Sequence, residues 1–85
     1  MFAVFNYEVS ENIYIFDTKA KARKCERLLK KLNAYNSDTR DYDVTHLEEF
    51  SSYEEIKNDQ IEILEGCGGG ELLLLYNGER ELLRV

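Results

Sequence analysis

The last fifteen residues of the chain, ELLLLYNGERELLRV, constrain its fold more than any other stretch. An Asn-Gly pair between two apolar runs is the preferred loop of a type I′ hairpin, because both central residues of that turn need positive φ. We therefore predict a hairpin with Asn77 and Gly78 as its loop. The predicted cross-strand pairs are Tyr76 with Glu79, Leu75 with Arg80 and Leu73 with Leu82. Four consecutive leucines followed by a mixed strand predict a central strand beside a more exposed edge.

A second hairpin is predicted at the start of the chain. Residues 2–8 and 13–16 are rich in β-branched and aromatic residues, and the polar residues VSEN separate them. Both faces of these strands carry apolar side chains. We expect a central strand that is covered on one side by a helix and on the other by a further layer, for which a second subunit is one candidate.

A helix is predicted over residues 18–32, with Asp17 or Thr18 as its N-cap. Its apolar residues recur at the i, i+3, i+4, i+7 spacing of a buried helical face. The predicted core face consists of Cys25, Leu28, Leu29 and Leu32, with Ala22 above it and Tyr35 near its end.

The middle of the chain is predicted as a loop at 37–46, with a short strand around Val44. Leu47, Phe50, Tyr53 and Ile56 recur at three-residue spacing, which fits helical turns or a loop that closes over the core. The sequence SSYEE within this stretch resembles a capping box, which predicts a short second helix over 52–58. Residues 60–64 alternate as a strand would, and the glycines of 66–70 end that strand.

These elements predict one α+β domain over residues 1–85: a four- to five-stranded, mainly antiparallel sheet with one long helix packed on a face and a short second helix. A chain of 85 residues has a small core. We therefore expect further buried area from a homodimer.

The sequence offers few groups for catalysis, and we expect no catalytic residue, no metal site and no cofactor. The glycine run is followed by Glu71 and not by the Lys-Ser/Thr of a phosphate-binding loop. Cys67 lies between glutamates that disfavour a thiolate, and His46 lies in an acidic stretch. Two cysteines are too few for a disulfide framework, and no apolar run is long enough to span a membrane. We expect a cytoplasmic protein with reduced thiols.

Basic residues are concentrated in the predicted long helix, although the net charge is -6. Residues 17–37 hold seven basic residues against two acidic ones. Lysines and arginines on successive turns favour contact with a phosphate backbone. The candidate nucleic-acid-binding residues are Lys21, Arg23, Lys24, Arg27, Lys30 and Lys31. Alternatively, these residues form a solvated face or pair with the acidic middle of the same chain.

Acidic residues dominate the following segment, since residues 38–65 hold ten acids against two basic residues. Such carboxylates can imitate a phosphate array and occupy the nucleic-acid site of an enzyme, and interleaved aromatic residues supply anchors. The candidate protein-binding residues are Tyr42, Asp43, Glu48, Glu49, Phe50, Tyr53, Glu54 and Glu55. An acidic surface without a partner would contain the same acids.

The opening MFAVFNYEVSENIYIFDTKAKA and the proline-free, Asn/Tyr/Lys/Glu-rich composition resemble the small accessory proteins of T4-like bacteriophages. The resemblance implies an anti-defence protein without catalysis that binds a host or defence nucleic-acid-processing protein in the host cytoplasm. Among these phage proteins, the chain is similar to an inhibitor of a toxin ribonuclease from a toxin–antitoxin system, for which the expected complex includes RNA. The alternative is an RNA or single-strand-binding module that uses helix 18–32. No functional residue is carried over from the resemblance.

Overall fold

Five strands form one sheet, and two helices accompany it. The computed structural model describes residues 1–6, 12–36 and 45–85, and the side chains of the first helix up to residue 32. The elements are β1 (Phe2–Asn6), β2 (Asn12–Phe16), α1 (Lys19–Asn36), β3 (Thr45–Glu49), α2 (Tyr53–Gly66), β4 (Glu71–Tyr76) and β5 (Glu79–Arg84). The strand order is β3-β1-β2-β4-β5. Only the β2–β4 pair among them is parallel, so the predicted α+β fold with a mainly antiparallel sheet is confirmed.

The two helices cover opposite faces of the sheet. Directly paired residues of neighbouring strands point to the same face, and successive residues alternate between faces. Ala3 and Phe5 share one face and form the main core with Ile56 and Leu64 of α2. Val4 points the other way and is completely buried, because α1 packs across β1, β2 and β3 on that side. We call these two sides the α2 face and the α1 face.

The main core lies on the α2 face. Phe5, Ile56 and Leu74 are almost fully buried at its centre. The ring of Phe5 lies 4.8 Å from that of His46 and 6.4 Å from that of Phe50. The remaining buried members of the cluster are Ala3, Ile13, Ile15, Leu64, Leu72 and Leu83. The core therefore draws on four strands and on α2.

Both predicted hairpins are present. β1 and β2 pair antiparallel, and the residues between them, 7–11, lie outside the described part of the chain. In the C-terminal hairpin Asn77 has φ 52° and Gly78 has φ 77°, as a type I′ turn requires. The three cross-strand pairs predicted from that loop are confirmed.

α2 corrects the sequence interpretation of residues 60–64. That stretch was predicted to be a strand, but α2 runs through it to Gly66. Ile56, Gln60 and Leu64 are buried at i, i+4 and i+8, which is one helical stripe. The alternation of Ile61 and Ile63 misled because a short apolar run fits both periods. The second helix is therefore longer than the predicted 52–58.

β3 begins at Thr45, inside the predicted loop 37–46, and the predicted strand around Val44 lies outside the described residues. Leu47 belongs to this strand, so its three-residue spacing to Phe50 does not reflect a helical turn. β3 pairs only with β1 among the described strands, and Thr45 is buried on the α1 face. Pairing with a central strand overrides the local pattern here.

α1 corrects the predicted core face of the long helix. Leu28 and Leu32 are 59% and 57% exposed, although their spacing predicts burial. The sheet-facing side is instead centred on the fully buried Ala22, with Cys25 and Leu29 half-buried below it. A small residue at the closest approach lets the helix lie near the sheet. The N-terminal prediction holds in part, since the Thr18 hydroxyl accepts a hydrogen bond of 3.4 Å from the N–H of Lys21.

Candidate functional site

The outer side of α1 carries a dense set of cations, which we call the α1 cationic surface. All its members are exposed: Lys19, Lys21, Arg23, Lys24, Arg27, Lys30 and Lys31. Within the described residues its only ion pair joins Lys30 to Glu26 of the same helix, at 3.7 Å. The structure thus brings all six predicted nucleic-acid-binding residues to one accessible helix.

The field of the helix backbone reinforces this charge. The first turn of α1 contains no acidic residue, and its last turn contains no basic one. The N-terminus of a helix already carries a partial positive charge, so Lys19 and Lys21 lie where cations are least stabilised. Asp17, just before the helix, accepts a hydrogen bond from Tyr76. The N-terminal half of α1 is therefore a strongly electropositive region of an otherwise acidic protein.

An opposite surface lies across the sheet. We call it the α2 acidic surface, and it comprises Glu48, Glu54, Glu55, Asp59, Glu62 and Glu65. All but the half-buried Asp59 are exposed. Lys57 is the only cation of α2 and lies 2.9 Å from Glu81 of β5. This hydrogen bond, more than any other factor, raises the pKa of Lys57 above its ordinary value. The carboxylates of α2 are therefore not balanced by the cation of their own helix.

The predicted protein-binding residues are divided by the fold. Glu48 and Glu54 belong to the α2 acidic surface, but Glu49 pairs with Phe2 and lies on the α1 face. Glu55 accepts hydrogen bonds from the N–H and hydroxyl of Ser51. Tyr42 and Asp43 lie outside the described residues.

The predicted aromatic anchors Phe50 and Tyr53 are half-buried, and both pack against the main core. The ring of Tyr53 stacks on Tyr76 with centroids 5.2 Å apart. The structure therefore places these two rings at the border of the core, where only part of each is accessible to a partner. The exposed carboxylates supply most of the surface.

A tyrosine network at the end of β4 was not found from the sequence. The hydroxyl of Tyr53 donates to Glu81 at 3.4 Å, and the Lys57 ammonium lies 5.8 Å from the centre of the Tyr53 ring. Burial, followed by the charge of Glu81, raises the pKa of Tyr53. The hairpin register places Tyr76 beside Glu79, but it gives no sign that α2 would bring Tyr53 to the same place. This network joins α2 to the sheet.

The residues considered for catalysis are dispersed. His46 stacks on Phe5, and its Nε2 lies 3.6 Å from a Glu48 oxygen. Cys25 is half-buried, and burial raises the pKa of its thiol. Cys67 is exposed at the C-terminal end of α2, so the glycine run meets the negative end of a helix dipole. In the described part of the chain, no three His, Cys, Asp or Glu side chains are grouped as metal ligands.

Comparisons of the chain with protein-family models, with curated proteins and with solved structures found no match. Among residues 1–6, 12–36 and 45–85, no helix has the length and apolar character needed to cross a membrane. A functional proposal for this chain therefore depends on its two charged surfaces and on what lies between them.

Proposed function

We propose that the protein is a non-catalytic inhibitor that binds a nucleic-acid-processing protein of its host or of a host defence system. The α2 acidic surface makes the contact. The observation that carries the proposal is the placement of the two charged surfaces on opposite faces of the sheet. Because the sheet lies between them, the carboxylates of α2 and the cations of α1 do not neutralise each other within one molecule.

The α2 acidic surface has the chemistry of a nucleic-acid mimic. Glu54, Glu62 and Glu65 lie along the outer side of α2, since residues three, eight and eleven positions apart fall on one side of an α-helix. An enzyme that binds nucleic acid presents a basic groove, and charges of opposite sign accelerate and orient such an encounter. The phage-protein resemblance makes a toxin ribonuclease in the host cytoplasm the first partner to test.

The test is affinity capture from host cells with three versions of the protein. One is the wild type, and the second carries Glu54→Gln, Glu62→Lys and Glu65→Lys. The third carries Lys24→Glu, Arg27→Glu and Lys31→Glu as a matched control on α1. We expect a nuclease-resistant protein partner with the wild type and the α1 variant, and its loss with the α2 variant.

The proposal is contradicted if the wild type captures no nuclease-resistant partner that the folded α2 variant loses. Thermal melts of all three versions establish that each is folded. The activity of the captured enzyme on its own nucleic-acid substrate is then measured with and without the protein, and a lower activity with the protein shows that binding inhibits the enzyme.

A second candidate function is an RNA or single-strand-binding module that uses α1. It is favoured by the exposure of the α1 cationic surface and by its single ion pair among the described residues. Each cation that neutralises a phosphate releases a counterion, so affinity should fall steeply with salt. We expect the α1 triple variant to abolish a mobility shift of RNA at low salt and the α2 variant to strengthen it. No shift with the wild type at low salt eliminates this candidate.

A further inference from the structure

The α1 face of the sheet is only partly covered. α1 packs on β1, β2 and β3, whereas β4 and β5 extend beyond it. Leu73 and Leu75 of β4 are half-buried there, and Leu82 of β5 is 50% exposed. Leu73 and Leu82 are direct partners in the register, so their side chains lie together on this face. Within the described part of the chain, these three leucines are thus only partly covered on this face.

One edge of α1 borders this open surface. Lys21, Leu28 and Leu32 lie at i, i+7 and i+11, which is a single stripe of an α-helix. Lys21 lines a pocket with Tyr14 and Leu75, so this stripe is on the side of α1 that looks toward β4. The two exposed leucines of α1 therefore lie on the side of the helix that faces the partly exposed leucines of β4 and β5. We call this surface the leucine trough: Leu28, Leu32, Leu73, Leu75 and Leu82.

The trough has the width of one further helix. Strands lie about 4.8 Å apart, so β4 is about 10 Å from β1, over which α1 is centred. Packed helices lie about 8–10 Å apart. A helix laid beside α1 would therefore rest on β4 and β5 and contact the exposed edge of α1 at the same time.

The rim of the trough is cationic. On α1, Lys24 and Lys31 flank Leu28 at four and three residues, and Lys21 lies on the same stripe as Leu28. On β5, Arg80 and Arg84 are on the same face as Leu82 and are exposed. Arg84 pairs with Glu71 at 2.6 Å, whereas the other four cations have no ion pair within the described residues. An apolar floor with a positive rim selects a ligand that is apolar on one side and acidic on its flanks.

We propose that the leucine trough binds an acidic amphipathic helix of a partner protein. Such a helix places its apolar stripe on the leucines and its Glu or Asp residues against Lys21, Lys24, Lys31 and Arg80. Nucleic acid offers phosphates for the rim but no aliphatic surface for five leucines. The site lies on the opposite side of the sheet from the α2 acidic surface, so it is a second binding site and goes beyond the proposed inhibition.

A second copy of the chain fits the trough less well. If α1 of one copy entered the trough of another, its cations would meet Arg80 and Arg84, which are of the same sign. α2 is acidic, but its Ile56 and Leu64 are buried in the main core, and Ile63 is the only large aliphatic side chain that α2 leaves exposed. Neither of the two described helices can therefore supply both the apolar stripe and the negative flanks.

The experiment uses a synthetic acidic peptide of about eighteen residues, or five helical turns. It carries Leu at i, i+3, i+4 and i+7 and Glu between them. Matched controls are a scrambled peptide of the same composition and a peptide with Lys in place of Glu. Binding is measured by fluorescence anisotropy against the full chain. We expect the acidic amphipathic peptide to bind at least about tenfold more tightly than either control.

Three variants locate the site. Leu82→Glu and Leu32→Glu should each weaken binding at least about tenfold, because each places a carboxylate under the apolar stripe of the peptide. Ile63→Glu is the matched control, since Ile63 is also 50% exposed but belongs to α2 on the other face. It should bind as the wild type does. All three residues are exposed, and thermal melts confirm that the variants are folded.

The proposal is overturned if the scrambled or basic peptide binds as well as the acidic one, or if Leu82→Glu leaves binding unchanged. It is equally overturned if sedimentation shows a dimer that Leu82→Glu and Leu32→Glu dissociate, because a second copy would then occupy the trough. Failure of the capture experiment with the α2 variant leaves this result unaffected, so the two proposals are tested separately.

Discussion

The phenol of Tyr76 donates a hydrogen bond of 2.6 Å to the carboxylate of Asp17, 59 positions earlier in the chain. The bond ties the end of β4 to the junction between β2 and α1. It is also the main reason that the pKa of Tyr76 lies above its ordinary value of 10.0. Ionising Tyr76 removes the donor and places a phenolate beside a carboxylate.

We therefore predict that part of the fold's stability is lost at alkaline pH. A tyrosine whose pKa is raised in the folded state contributes stability that is complete below its unfolded pKa of about 10 and disappears as the pH rises through the folded value. Urea melts on the two sides of this pH should show a smaller decline for Tyr76→Phe than for the wild type. Asp17→Asn should return the titration of Tyr76, followed by phenolate absorbance, toward that of an ordinary tyrosine. An unchanged titration in Asp17→Asn contradicts the assignment.

The leucines of the chain should differ sharply in their contribution to stability. Leu74 is fully buried, so Leu74→Ala should lower the free energy of unfolding by about 2–5 kcal/mol. Leu28→Ala and Leu32→Ala should change it by less than about 0.5 kcal/mol, because both side chains are exposed. Chemical denaturation of the three variants measures this. A loss of several kcal/mol in Leu28→Ala would instead support the face predicted from the sequence, in which Leu28 is buried against the sheet.

Two glycines near the end of α2 should respond in opposite ways to alanine. A Cβ on Gly69 would lie 2.8 Å from the carbonyl oxygen of Val85, at a φ of +103°. We expect Gly69→Ala to cost about 1–3 kcal/mol through backbone strain. Gly66 belongs to α2, and no other group lies within 4 Å of the position that an alanine Cβ would take. Gly66→Ala should therefore raise the free energy of unfolding by about 0.5–1 kcal/mol. Thermal melts compare the pair, and equal effects would argue against this loop geometry.

Ser52 is the N-cap of α2. Ser52 accepts a hydrogen bond of 3.1 Å from the backbone N–H of Glu55. Ser52→Ala should lower the free energy of unfolding by about 1 kcal/mol, whereas Ser52→Asp should retain most of it, since Asp is an equally good N-cap. Denaturation curves at neutral pH test this difference. An alanine variant as stable as the aspartate variant would contradict the cap.

Sequence rules for turns correctly predicted the C-terminal hairpin, because the residues of the turn determine its geometry. The Asn77-Gly78 pair determined a turn type, and the turn type determined the register of β4 and β5. The strand predicted over residues 60–64 was wrong because an apolar run of five residues fits either a strand or a helix. Only packing against the core that contains Phe5 and Leu74 decides between the two. The predicted burial of Leu28 and Leu32 was wrong for a related reason. A helical stripe indicates which side chains avoid water only where a facing surface is wide enough to cover them.

The charge blocks behind the candidate site were visible in the sequence, but their placement was not. The sign of each segment follows from composition, whereas the separation of α1 from α2 follows from the path of the chain around the sheet. Glu48 and Glu49 are an example: they are adjacent in the sequence, but successive strand residues point to opposite faces of the sheet, so only Glu48 lies on the α2 face. The Tyr53–Tyr76 contact likewise joins residues that no local pattern connects.

The parallel pairing of β2 with β4 divides the sheet into two antiparallel pieces, β3-β1-β2 and β4-β5. A two-residue turn joins β4 to β5, whereas the two strands at the seam, β2 and β4, are separated in the chain by α1, β3 and α2. Contacts between residues far apart in sequence form late in folding, because closing a long loop is entropically costly. The seam pairs Asn12 with Leu73, 61 positions apart (73 − 12), which is farther than in any other strand pair among the described residues, so its closure should be the slowest step in assembling the sheet.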